Sequence, residues 1–413
     1  MTTYAVGAIF NGEKVLEKKF GWIIRIADKT IADIQPRSEN KELEEEDIVD
    51  LSDYSVVPGL IDAHIHVVMD GDPNEDRRNL SLVEPLALSG IRALSNSQQH
   101  LDNGVTTVRD LGAWKGVDGA VRNAIQSGMV KGPRMVVSGR GITTTGGHMD
   151  PRKYTGDRMP VDLVSSIGII ADSPWEARKA VREQLLLPAD VIKLNATLSE
   201  HVRRYGGQCS PEMGLDMLTA ICDEAHAAGR MVAAHCHGGI GVTWAIQAGV
   251  DTYEHGRFMT DEQLDIIAEK ERFLVPTLSP EARRIDLDDA PSDPEVANWY
   301  SMATEAMYDT VLRASRAGVN IIAGTDAGMP HVYHGTVSYE MNQLAVAGLS
   351  NIDVLRSATS VAAKALGLGN EIGQIKEGHV ADLIFVNGNP WDDPKILMER
   401  SNIVKVLQNG VEV

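Results

Sequence analysis

Two histidines interrupt an apolar run at 59–68, GLIDAHIHVV, where His64 and His66 stand among Leu60, Ile61, Ile65, Val67 and Val68. In a strand, side chains two positions apart share a face, so both imidazoles would point to one place. A second such pair, His235 and His237, closes GRMVAAHCHG, and other apolar runs carry single polar residues: Lys193 in ADVIKLNAT, His255 in DTYEHG and Asp326 in GVNIIAGTDAG. Each has a structural alternative when taken alone. A histidine can be hydrogen-bonded in the core, His255 can cap a helix, Lys193 can pair with a buried acid or reach solvent, and Asp326 can be a turn residue. Taken together, imidazole and carboxylate are the ligands of zinc or a similar divalent cation. Cys209, Cys222 and Cys236 form neither an even set nor a C-x-x-C pair, so they read as reduced thiols. Cys236 alternates with His235 and His237, faces the other way and packs against helices.

Such residues need a scaffold that gathers them. Short apolar runs recur along the chain: VVPGLIDAHIHV, then GVTTVRDLG at 104–112, PRMVVSGRG at 133–141, ADVIKLNAT at 189–197, GRMVAAHCHG at 229–238, DTYEHG at 251–256, RFLVPTL at 272–278 and GVNIIAGTDAG at 318–328. Between them lie segments of amphipathic helical spacing, such as PEMGLDMLTAICDEAHAAG and MYDTVLRASRAG. Strands alternating with helices dictate an α/β fold with a parallel sheet, and eight such units predict a closed (β/α)8 TIM barrel over residues 58–370. An open doubly wound sheet would need a glycine-rich phosphate loop near its first strand, and no G-x-G-x-x-G follows a strand here. Barrel enzymes do their chemistry at the C-terminal ends of the strands, which is where these polar residues fall. Residues 1–57 and 371–413 have a different texture of short strands and turns, and are expected to pair into a small β-sandwich beside the barrel. The acidic stretch ENKELEEEDIVDL reads as a solvated loop.

The 413 residues carry 39 basic and 58 acidic side chains, a net charge of −19 that repels nucleic acid and anionic lipid. The first residues lack a basic segment followed by an apolar one, and no run approaches the ~18 apolar residues of a membrane span. A cytoplasmic, homo-oligomeric protein acting on a small molecule is expected.

The words VVPGLIDAHIHV, IKLNAT, AAHCHG, YEHG, GTDAG and the tail IGQIKEGHVADLIFVNGNP resemble the amidohydrolase superfamily over essentially the whole chain. Within it, the chain looks most like the imidazolonepropionase-related branch that includes metal-dependent Xaa-Pro dipeptidases and other N-acyl amino acid hydrolases. That resemblance implies two divalent metal ions, zinc foremost. His64, His66 and Asp326 would hold the more buried ion, His235 and His255 the more exposed one, and Lys193 would bridge them. An ammonium has no lone pair, so Lys193 must be neutral, which burial and nearby positive charge favour. A neutral amine can add carbon dioxide and become a bridging carbamate. A water held by such metals ionises near neutral pH to give a hydroxide nucleophile. Asp326 would take the proton and hand it to the leaving nitrogen.

His148, in TTTGGHMD, is placed to hydrogen-bond the oxyanion or a substrate carboxylate. His237, Arg203, Arg204 and Tyr205 are further candidates for that carboxylate. Members of the dipeptidase group often carry a tyrosine where this chain has His237. His331, Tyr333 and His334 in MPHVYHG would read the substrate side chain or order their loop. The implied activity is hydrolysis of an Xaa-Pro dipeptide or a related dipeptide or N-acyl amino acid. Hydrolysis of a cyclic amide and deamination of a heterocycle are the alternatives.

Overall fold

The computed structural model describes residues 1–37, 48–150, 152, 167–198, 209–288 and 294–413. Four strands open the chain: β1 (Thr2–Phe10), β2 (Val15–Ala27), β3 (Thr30–Pro36) and β4 (Ile48–Pro58). The middle of the chain supplies β5 (Leu60–Ile65), β6 (Val105–Asp110), β7 (Arg134–Val137), β8 (Gly141–Thr143) and β9 (Gly168–Ile170). It continues with β10 (Val191–Asn195), β11 (Met231–Gly238), β12 (Thr252–Phe258), β13 (Phe273–Val275) and β14 (Asn320–Ile321). Three strands close it: β15 (Leu383–Val386), β16 (Ile403–Gln408) and β17 (Val411–Glu412).

The two ends do pair. They share one seven-stranded sheet in the order β17-β16-β15-β4-β1-β2-β3. The seam is antiparallel, from Leu383 opposite Pro58 to Val386 opposite Ser55. Tyr4, Val6, Ile24, Val56, Leu383 and Phe385 pack a core on this sheet that is separate from the core of the middle segment. Part of the expected acidic loop is strand instead. Ile48 to Leu51 pair with Thr3 to Val6 of β1, because Val49 and Leu51, two positions apart, lay apolar side chains against the core of this sheet. Residues 38–47 lie outside those described.

The middle strands are parallel, in a β5-β6-β7 sheet and a β14-β13-β12-β11-β10-β8-β9 sheet. Backbone hydrogen bonds link the two sheets on both sides. On one, Ala63 N donates to Ala323 O (3.0 Å) and Asp326 N to His64 O (2.8 Å); on the other, Asp190 N donates to Val137 O (2.8 Å). Every residue of β5, β6 and β10 is buried, as befits strands covered on both faces, and this explains why they read as continuous apolar runs. Helices follow the strands and their ends obey local rules: Ser173 caps Pro174–Leu186, and Thr260 with Gln263 forms a capping box on Asp261–Glu269. Among the described residues, no helix is long and apolar enough to cross a membrane.

Two runs depart from simple strands. PRMVVSGRG breaks into β7 and β8 at Gly139, whose φ is +66° and whose N–H is taken by Asp118 Oδ2 at 2.7 Å. GVNIIAGTDAG contributes only Asn320–Ile321 to the ladder, so Asp326 lies beyond the strand and not at its end. The buried Asp62 carboxylate accepts Thr325 N (3.0 Å) and Thr325 Oγ1 (2.7 Å), so that this N–H is taken by a side chain and not by a neighbouring strand.

Candidate metal centre

His64 on β5 and His66 just beyond it share one side, with ring centroids 5.4 Å apart, as alternation requires. His64 Nδ1 lies 2.8 Å from Glu254 Oε2, and His66 Nδ1 lies 3.0 Å from Gly112 O. His255 Nδ1 lies 2.6 Å from Thr277 Oγ1, whose own hydrogen is directed to Pro276 O at 2.8 Å. A carboxylate, a carbonyl and a committed hydroxyl can only accept. Each imidazole therefore donates from Nδ1 and keeps a lone pair on Nε2. The Nε2 atoms of His64 and His66 then face Asp326 Oδ1 at 3.6 and 3.3 Å. Ligand atoms of His64, His255 and Asp326 lie within 4.8 Å of one another. Lone pairs gathered around a buried carboxylate oxygen repel unless a proton or a metal cation stands among them. Burial alone would lower the pKa of His66, but Asp326 beside it raises it, and a divalent ion would take the place of that proton. The backbone is bent to make it, for His255 and Asp326 both sit in the left-handed region, at φ 72° and 58°.

Lys193 and His235 complete the group. Lys193, on β10, is 1% exposed, and its Nζ has no hydrogen-bond partner among the described residues. Burial depresses that amine to about 8, so the neutral form is within reach. His235, on β11, is also buried, its Nε2 has no hydrogen-bond partner among the described residues, and its ring lies 4.6 Å from that of His255. Burial, with neighbouring imidazoles, holds His235 and His255 well below the usual histidine range. Asp326 is a carboxylate at neutral pH: burial would raise it, but His64, His66 and Lys193 beside it hold it at about 2. The imidazoles of His64, His235 and His255, kept neutral by burial, with an ionised carboxylate and an amine close to its neutral form, are a buried donor set that fits divalent metal.

The surrounding residues divide. His148 stacks on His235, rings 3.8 Å apart, and its loop is held by Glu212, whose carboxylate accepts His148 N (2.8 Å), Thr144 N (3.0 Å) and Thr143 Oγ1 (2.6 Å). His237 joins the cluster, 4.7 Å from the ring of His235 and 5.4 Å from that of His255. His334, expected to read the substrate or to order its loop, does the latter. Its Nε2 meets Met69 O at 2.7 Å and its Nδ1 meets His100 Nε2 at 2.9 Å, so both ring nitrogens are spent tying the loop after β14 to the segment after β5. Arg203, Arg204 and Tyr205 lie outside the described residues. Cys236 packs in the apolar core, as its alternation with the histidines implies.

Sequence reasoning gave no role to Glu254, Thr277, Arg109, Asp62 or Glu212. One signal was present: Glu254 in DTYEHG and Arg109 in GVTTVRDLG are charges inside buried runs, which are almost never buried unless paired.

Comparison with known proteins gives the family. The model of the amidohydrolase family matches residues 55–413, and the chain belongs to that family. It is 31% identical over 379 residues to an ochratoxinase of Aspergillus niger, covering 86% of this chain and 75% of that one. A solved Xaa-Pro dipeptidase with methionine bound in its active site superimposes with a TM-score of 0.86 at 31% identity, covering 100% of this chain and 99% of that one. A prolidase complexed with N-methylphosphonate-L-proline gives a TM-score of 0.85 at 27% identity over 100% and 99% of the two chains.

Proposed function

We propose that the protein is a metal-dependent hydrolase that releases the C-terminal amino acid, proline foremost, from a dipeptide or an N-acyl amino acid. Family membership supports an amide-hydrolysing enzyme. The observation that supports the finer reading is Lys193 Nζ, buried beside the His64, His255 and Asp326 cluster with no hydrogen-bond partner among the described residues. The two parallel sheets are read as one closed (β/α)8 barrel over 58–370, with 1–57 and 371–413 as its β-rich companion domain.

His64, His66 and Asp326 would hold one divalent ion, zinc foremost, and His235 and His255 a second, with Lys193 as a carbamate between them. Such ions, when bound, polarise a carbonyl and bring the pKa of water to about 7. Asp326 accepts the proton of the attacking water at its carboxylate and returns it to the leaving nitrogen, a role for which its low pKa keeps it ionised. His148, stacked over His235, and His237 offer ring nitrogens to the oxyanion or to the substrate carboxylate.

An imide-like Xaa-Pro bond has no N–H, so recognition falls on the free carboxylate. Charge-assisted hydrogen bonds contribute roughly 1.5 to 3 kcal/mol each, so amidating that carboxylate should lower kcat/KM by more than about 10-fold. Matched Xaa-Pro acids and amides provide the test. Equal values, or activity confined to cyclic amides or heterocyclic amines, would overturn the assignment of substrate.

A further inference from the structure

Beneath the candidate ligands, the interior of the parallel strands holds a connected polar set. Arg109, on β6, is 1% exposed and spans that interior. Its Nε donates to Ala63 O (2.6 Å), its Nη1 to Thr252 Oγ1 (3.0 Å) and its Nη2 to Glu254 Oε1 (2.9 Å). Thr252 Oγ1 donates to the same Glu254 oxygen at 2.6 Å, and the other oxygen, Oε2, takes His64 Nδ1 at 2.8 Å. Glu254 and Thr252 have no exposed surface. Burying an ion pair this completely is often no more stable than packing apolar residues in its place, so fold stability alone gives little reason for it.

We infer that Arg109 and Glu254 form a relay that sets the tautomer and position of His64 for metal. The inference rests on the metal reading above. Arg109 carries a permanent charge, so the carboxylate beside it can only accept, and His64 must donate from Nδ1. That leaves the Nε2 lone pair aimed at Asp326 and the metal position. Arg109 acts on the same ligand twice, since Ala63, the residue before His64, is held through its carbonyl. The guanidinium thus fixes both the strand that carries the imidazole and the far side of its ring. Neither residue touches the candidate reacting groups; both are positioning residues.

A glutamine at 254 has one oxygen where the carboxylate has two. With Arg109 present, that oxygen turns to the guanidinium and the amide N–H faces His64, forcing the proton onto Nε2. Glu254→Gln should therefore weaken zinc binding, by the roughly 10- to 100-fold typical of lost partners of metal-bound histidine. Adding Arg109→Met frees the oxygen to turn to His64 and should restore affinity toward the wild-type value, which lost packing would not do. Zinc affinity is read by chelator competition, and thermal unfolding of the metal-free forms checks folding. If Glu254→Gln alone does not fold, Arg109→Met/Glu254→Gln and Arg109→Met/Glu254→Leu, both without the buried ion pair, make the same comparison, and only the leucine form should lose affinity. Unchanged affinity in Glu254→Gln, no recovery on adding Arg109→Met, or equal affinity in the two double variants overturns the relay. A wild-type chain that binds no zinc overturns the metal reading instead.

Discussion

Alternation along β5 can bring two imidazoles to one face, but it cannot bring a carboxylate between them. Asp326 arrives from a non-ladder segment at φ 58°, with its backbone N–H on His64 O at 2.8 Å. Its geometry makes the role testable apart from ligation. Asp326→Asn keeps an oxygen for metal but cannot accept a proton, so it should retain much of its zinc while losing roughly 100- to 10,000-fold in kcat. Elemental analysis beside steady-state rates checks this, and near-full turnover would remove Asp326 as the proton carrier. Lys193→Met should lower zinc from about two ions per chain to about one or fewer, because a methionine cannot bridge. At this scale, the gathering of the histidines and Asp326 was legible, since residue type and strand period suffice to nominate residues that converge, while their assignment as ligands came from the family resemblance. Their orienting partners were not legible. Glu254 stands 190 residues from His64, and which strand faces which across the interior is a property of the tertiary packing, not of either run.

All eight apolar runs contain a strand, because strands buried on both faces leave an apolar signature that a single sequence displays. The signature fails where a buried side chain outcompetes the ladder, as Asp62 does at Thr325 and Asp118 at Gly139. Strand ends were therefore misplaced at those two runs. Gly324 shows how tightly one of them is packed. A Cβ there would lie 2.6 Å from Val275 Cγ1, 2.9 Å from His64 Cβ and 3.0 Å from His64 N. Gly324→Ala must displace β5 at its first ligand. Overpacking of this kind costs about 1–3 kcal/mol, so both melting temperature and bound zinc should fall. Gly318→Ala is the control: its Cβ meets nothing within 4 Å, and its φ of +81° makes the cost one of backbone strain alone. Loss of zinc in both variants, or in neither, would show that the contact with His64 is not the cause.

Across the whole molecule, charge patterning told the sequence reader about the surface, and the net of −19 said nothing of the acids sealed inside. Glu340 is one of these. From the helix Val337–Val346 it accepts Leu278 N (2.8 Å), Ser279 N (2.7 Å) and Ser279 Oγ (2.5 Å), next to the Thr277 that orients His255. Burial pushes its carboxyl up to about 8, against three hydrogen bonds that pull the other way. In the unfolded chain the same group ionises near about 4.3. Between these values the unfolded state gives up the proton and the folded state keeps it. Stability from Glu340 is thus complete below about pH 4 and declines as pH rises toward about 8. Asp326 and Glu254, held at about 2, act in the opposite sense at the acid end. Asp62 and Asp118, pushed by burial up to about 7, act in the same sense but are shared by wild type and variant, so the difference between the two chains reads Glu340. Glu340→Gln keeps an acceptor oxygen and does not titrate. Its melting temperature, measured on metal-free protein, should gain on the wild type steadily from pH 5 to pH 8, and a difference that stays constant across that range would show that the folded protein holds Glu340 ionised throughout.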